Sequence, residues 1–144
     1  MARLRTGIGG TLVLDAEGLV KLSKGDARAL SRVKQAHARD ATVVIAATTL
    51  AEVLRGGPRD APVYQALRKV KVISIYAEQG RDAGELLGRT RLSGHRSALD
   101  AVLASVALAQ PRPVVLLTSD TADLARLTEE PERPPRERVA VVRI

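Results

Sequence analysis

The chain has no cysteine, phenylalanine or tryptophan, and carries only two tyrosines, Tyr64 and Tyr76, and two histidines, His37 and His95. Without thiols, disulfide frameworks, cysteine-ligated zinc and thiol nucleophiles are excluded. Two histidines are too few for a histidine-rich metal site. The shortage of aromatic rings removes the stacking platforms on which single-strand-binding modules lay their bases; if this chain handles RNA, it grips backbone and shape. Long apolar runs are missing as well. After Arg3 and Arg5 the first apolar stretch is cut by Asp15 and Glu17, which suits neither a signal peptide nor a membrane span. The expectation is a cytoplasmic protein with no membrane partner. Neither Gly-x-Gly-x-x-Gly nor a P-loop is present, so nucleotide-binding folds lack their phosphate cradle.

What the chain has in excess is positive charge: 23 Lys and Arg stand against 16 Asp and Glu, for a formal net charge of +7. A balance of this kind favours a polyanionic partner, with nucleic acid the obvious candidate. An arginine-rich composition also serves solubility, so the charge supports such a partner without proving one. At 144 residues the chain suits one domain, taken as 1–144, with a proper core.

Apolar, β-branched runs at Thr11–Leu14, Thr42–Ala46, Val70–Ile75, Val114–Leu117 and Val139–Ile144 read as strands. They are too uniformly apolar for a half-exposed sheet and fit a parallel sheet covered on both faces. Helical periodicity takes over between them, at Asp26–His37, Thr49–Leu54, Pro62–Lys69, Ala77–Arg91 and Ser97–Ala109. Gly56-Gly57-Pro58, Leu92-Ser93-Gly94-His95 and Pro111-Arg112-Pro113 read as breaks, and the proline-rich stretch from Glu129 to Arg138 as an exposed loop before an edge strand. Alternating strands and helices give an α/β fold, a three-layer α/β/α sandwich around a central parallel sheet of four to five strands.

Four acids fall where such a sheet gathers them: Asp15 after the first strand, Glu52 in TTLAEVLRG, Asp100 in SALDAVLASVAL, and Asp120 closing VVLLTSD. In open α/β sheets the ligand crevice lies outside the carboxyl ends of the strands. Clustered carboxylates raise one another's pKa, and such a cluster commonly holds a cation. Each acid also has a plainer reading. Asp15 and Asp120 suit helix N-caps, Glu52 stands three residues after Thr49 as in a capping box, and Asp100 has His95 and Arg96 nearby as salt-bridge partners. Asp100 is the hardest to dismiss, because it opens a helix otherwise built of alanine, valine and leucine, where a lone charge is expensive.

The pieces LVLDAEGLV, TTLAEVLRG, AGELLGRTRLSGHRSALDAVLASVALA and VVLLTSDTADLARL, in that order, resemble a PIN domain, and more specifically the VapC-type toxins. The resemblance implies an endoribonuclease that binds Mg²⁺ or Mn²⁺ and cuts RNA, held inactive by a cognate antitoxin, with a homodimer expected. Matched residue by residue, Asp15, Asp100 and Asp120 take the metal-binding positions and Glu52 joins them in catalysis. Thr118 matches a hydroxyl that orients the fourth acid or a bound water, and Asp123 a further acidic position. Leu124 stands where the family commonly has Phe. Arg55, Arg91 and Arg96 are candidates for the RNA backbone, and the apolar stretches Val63–Leu67 and Ala83–Leu87 serve either as partner surfaces or as core. Rival readings are a non-catalytic, partner-regulated binding subunit on the same fold and a PIN-like nuclease acting in RNA processing or on structured DNA. A receiver domain or a haloacid dehalogenase-like phosphatase fits worse, because the paired acids and the Asp-x-Asp those need are absent.

Overall fold

The structure, a computed structural model, describes residues 9–144, so Arg3 and Arg5 lie outside it. In chain order it contains β1 (Thr11–Leu14), α1 (Ala16–Ser23), α2 (Ala27–Ala38), β2 (Thr42–Ala46), α3 (Ala47–Val53), α4 (Ala61–Leu67) and β3 (Lys71–Ile73). It continues with α5 (Ala77–Thr90), α6 (Gly94–Leu108), β4 (Val114–Thr118), α7 (Thr121–Leu127) and β5 (Ala140–Arg143). All five strands are parallel, in the order β3-β2-β1-β4-β5. β1 is the central strand, with Leu12 beside Val43 on one side and Val115 on the other.

Successive residues of a strand point to opposite faces, and the central strands are apolar at every position because both faces are covered. Leu12, Leu14, Val43, Ile45 and Leu117 pack with Leu19 and Leu22 of α1, Val33 of α2 and Val63 of α4. Val13, Val44, Ala46, Val114 and Leu116 pack on the other side with Leu86 of α5, Leu103 of α6 and Leu124 and Leu127 of α7. The result is the three-layer α/β/α sandwich, with five strands in its middle layer. Each fully buried leucine among these contributes roughly 1.5–3 kcal/mol of transfer free energy, which is why the central strands fix the frame on which the surrounding loops are hung.

At three points the structure refines the sequence reading, each for a physical cause. The break at Leu92–His95 is shorter than expected: Ser93 adopts an extended cap conformation and accepts from the Ser97 amide at 2.8 Å, so Gly94 and His95 belong to α6. Asp100 is therefore in the second turn of that helix and does not open it. The stretches Val63–Leu67 and Ala83–Leu87 contribute core, since Val63, Ala66, Ala83 and Leu86 are buried against the sheet or its helices. Finally, the proline-rich loop is tethered. Arg112 grips Glu130 bidentately at 2.6 and 3.0 Å, and Arg133 adds a third bond at 2.9 Å. Burial pushes the Glu130 carboxyl up, but these two guanidiniums outweigh it and hold the group below the usual carboxylate range.

Gly10 joins the three central strands from below. Its carbonyl accepts from Thr42 N at 3.0 Å while the next amide, Thr11 N, donates to Pro113 O at 2.9 Å. Its φ of +69° lies in the left-handed region, and a Cβ there would sit 2.1 Å from the Pro113 carbonyl oxygen. Gly10→Ala should thus lose more than about 2 kcal/mol in urea unfolding, adding the left-handed penalty to a backbone clash. A loss below about half that would show that the β1–β4 junction accommodates a methyl group.

Candidate metal centre

The strand order places a switch point between β1 and β4: the chain steps outward from β1 to β2 and β3, then returns to lay β4 on β1's other side. A crevice opens where neighbouring strands send their connections to opposite faces. Asp15, the residue after β1, stands there. Its amide donates to Leu117 O at 3.1 Å, its Oδ1 accepts from Gly18 N at 2.7 Å and its Oδ2 accepts from Ser119 N at 3.1 Å. One carboxylate thus caps α1 and ties the ends of the two central strands together. Each of its oxygens has a second lone pair.

The end of β4 is built with similar economy. Thr118 is fully buried, and its hydroxyl oxygen accepts from Asp120 N at 2.9 Å. Asp120 Oδ1 in turn accepts from Asp123 N at 3.3 Å, which starts α7 and sets Asp123 in its first turn. Arg143, which the sequence reading passed over, braces this loop from β5. It donates to Ser119 O at 3.0 Å and to Thr121 Oγ1 at 2.9 Å.

Asp100 reaches the same place from α6. Carboxylate oxygens of Asp100, Asp120 and Asp123 lie within 4.8 Å of one another. They line a cleft of about 380 Å³ together with Leu92, Ser93, Arg96 and Ser97. Asp15 and Glu52 fall outside that tight trio, although both interact electrostatically with Asp100. Among the described residues Asp100 has no hydrogen-bond or ion-pair partner, so neither His95 nor Arg96 neutralises it. Glu52 sits in the last turn of α3. Its capping-box reading fails because α3 starts two residues before Thr49, which is buried inside the helix, and the methyl group of the N-cap Ala46 cannot accept a hydrogen bond.

The electrostatics follow from this geometry. Burial first, then the charges of Asp120, Asp123 and Asp15, push the Asp100 carboxyl up to about 6. Glu52 is also raised, by partial burial of its carboxyl and then by Asp100 and Asp15, although the residue as a whole is exposed. Among the described residues neither of these two carboxylates has a hydrogen-bond donor, and both stand in a field of negative charge. The donor set consists of carboxylates with no sulfur and no imidazole, which suits a hard dication such as Mg²⁺ or Mn²⁺. Opposite ligands of an Mg²⁺ octahedron stand about 4.2 Å apart, twice the usual metal–oxygen distance, so the trio's spacing is of the right size.

The PIN domain matches this sequence over residues 12–130. The chain belongs to the PIN domain family. Proteins of that family are in general nucleases that typically use divalent metals, so membership supports a hydrolase acting on nucleic acids, and a cluster of three acids is present in this chain. By fold, this PIN domain is similar to a chain in the crystal structure of VapBC2 from Rickettsia felis bound to a DNA fragment from their promoter. The TM-score is 0.63 at 17% identity, over 93% of this chain and 98% of that one. No curated protein matches it. Among the described residues no helix is long and apolar enough to cross a membrane.

The raised Asp100 carboxyl has a consequence for stability in the metal-free state. A carboxyl whose folded pKa exceeds its unfolded one stabilises the fold while protonated, and that contribution is lost as pH rises from about 3.8 through about 6. At pH 7.5 the ionised group therefore costs stability, on the order of 1 kcal/mol once solvent screening at this partly exposed site is allowed for. Asp100→Asn should raise the melting temperature in chelator at pH 7.5 and leave it nearly unchanged at pH 4. A variant that melts lower at pH 7.5 would show that Asp100 is stabilised by contacts outweighing the repulsion.

Proposed function

We propose that this PIN domain is a Mg²⁺- or Mn²⁺-dependent endoribonuclease of the VapC type, the toxin of a type II toxin-antitoxin pair restrained by a cognate antitoxin. The observation that carries the reading is the convergence of Asp100, Asp120 and Asp123 on one 4.8 Å cluster beside Asp15, with Asp100 lacking a hydrogen-bond or ion-pair partner among the described residues. The basic balance of the chain supports a polyanionic substrate. The toxin and antitoxin assignment is supported by the motifs quoted above and by a fold shared with a chain of a VapBC2 complex.

In this reading Asp100, Asp120 and Asp123 hold the cation with Asp15, directly or through water, while Thr118 fixes the backbone of Asp120. When bound, the ion lowers the pKa of a water and offsets negative charge on the reacting phosphate. Glu52, whose carboxyl has no hydrogen-bond partner among the described residues and is raised from its ordinary value, accepts a proton from the attacking water. A bond forms from that water oxygen to phosphorus, the phosphorus bond to the departing ribose oxygen breaks, and the ribose oxygen takes a proton from solvent. Arg96, in the cleft wall and without a partner among the described residues, is the cation best placed to hold a substrate phosphate.

The purified chain should cleave RNA with Mg²⁺ or Mn²⁺ and stop in chelator, and Asp100→Asn should lower kcat by more than about a hundredfold. Because the proton on Asp100 competes with the cation, metal affinity should fall as pH drops through about 6. Expression of the chain should arrest bacterial growth, relieved by Asp100→Asn or by co-expression of the antitoxin. No cleavage of tRNA, rRNA or mRNA with either metal would overturn the enzymatic reading.

A further inference from the structure

Glu52 rides on a helix that is poorly held at its start. α3 has only seven residues, and its N-cap, Ala46, makes no side-chain hydrogen bond. The other end is different. The Arg55 guanidinium folds back over the last turn, with Nη1 donating to Ala51 O at 3.0 Å and Leu54 O at 2.7 Å, and Nη2 donating to Glu52 O at 2.9 Å. Helix carbonyls at a C-terminus lack intrahelical donors, and a cation there also meets the negative end of the helix. Arg55 therefore supplies donors where α3 needs them, one of them to the carbonyl of Glu52 itself.

Arg55 is in turn held by Asp60. The Asp60 carboxylate is buried at 6% exposure and accepts from Arg55 N at 3.0 and 3.2 Å and from Gly56 N at 2.7 Å. It makes no cap bond to α4, the helix it precedes. A buried carboxylate with its charge directed at two consecutive amides fixes the path of the chain leaving α3, since charge-assisted bonds to backbone are among the stronger ones. Gly56, with φ +81°, makes the turn at that point.

We propose that Arg55 and Asp60 are positioning residues for Glu52, forming a clamp that holds the last turn of α3 so that the Glu52 carboxyl faces the acids at the switch point. The inference rests on the role given to Glu52 above. It also reassigns Arg55, whose guanidinium is occupied by helix carbonyls and is not offered to an RNA backbone.

The clamp predicts a specific kinetic signature. Arg55→Ala should lower kcat roughly tenfold to a hundredfold, as displacing a reacting group by about 1 Å does, with KM for RNA and Mn²⁺ affinity changed by less than about twofold. In a Glu52→Gln background the same substitution should cost little more, because the residue it positions is already disabled. Asp60→Asn, which keeps an acceptor oxygen, should retain more activity than Asp60→Ala. A several-fold rise in KM in both backgrounds would overturn the proposal and return Arg55 to the RNA. Amide hydrogen exchange over residues 50–56 tests the clamp apart from catalysis: faster exchange there in Arg55→Ala and Asp60→Ala, with α6 unchanged, supports it. Unchanged exchange overturns it even if the parent chain is active. An inactive parent chain whose variants loosen this turn would sink the nuclease reading while the clamp stood.

Discussion

Like charges brought close together in a partly desolvated cleft repel, and this fold brings them together at one place. Asp15, Glu52, Asp100, Asp120 and Asp123 come from the ends of β1 and β4 and from α3, α6 and α7, and meet at the carboxyl edge of the sheet. The repulsion is met unevenly. Asp15 takes two backbone amides and Asp120 takes one, while among the described residues the carboxylates of Asp100, Asp123 and Glu52 take none. The acids with donors belong to the loops that follow the central strands. Burial and like charge push up the carboxyls of Asp100 and Glu52, and it is their charge that a cation would relieve.

Holding such a cluster needs a rigid floor, and the sheet supplies it where it is most buried. Leu14 and Leu117, the neighbours of Asp15 and Thr118, are essentially inaccessible, and Thr118 itself is fully buried. A slip of one residue in either strand would turn its apolar side chains to the wrong layer. The register Leu14 to Leu117 is thus enforced by both cores at once, and with it the bond from Ser119 N to Asp15. The edge strands are under looser control. β3 is short and largely exposed, and at Ile73 it stops short of the end of the apolar run Val70–Ile75.

Much of this was legible in the sequence, because strand runs and their order depend on local hydrophobicity alone. Five strands stand close to where the apolar runs put them, and two helices unassigned by periodicity, α1 and α7, follow acids that suit N-caps. Cap and site are not exclusive readings of Asp15 and Asp120: both residues cap helices, and the cap bonds hold their carboxylates at the carboxyl edge of the sheet. Spacing misled at Glu52, where Thr49 imitates a cap but lies buried within the helix. It misled again at Gly94, whose place in α6 moves Asp100 one turn inward. Asp60 and Arg143 left no pattern to find. Their partners are backbone groups, and a backbone donor or acceptor looks the same in every sequence.

The arrangement also resolves a tension in a chain with 23 basic residues and an acidic site. Guanidiniums that paired with the cleft carboxylates would leave no charge for a cation to relieve, and Arg96 in the cleft wall forms no ion pair with them among the described residues. The arginines that brace this end of the molecule are committed to neutral acceptors instead: Arg55 to the carbonyls of α3, and Arg143 to Ser119 O and Thr121 Oγ1. Arg112 and Arg133 pair with Glu130, which belongs to the tethered loop. Guanidinium suits this use because its several donors can saturate carbonyls while its charge still contributes to the outer field. Positive potential over the surface and negative charge in the cleft can therefore coexist, and the same chain can attract a polyanion while keeping its acids unpaired.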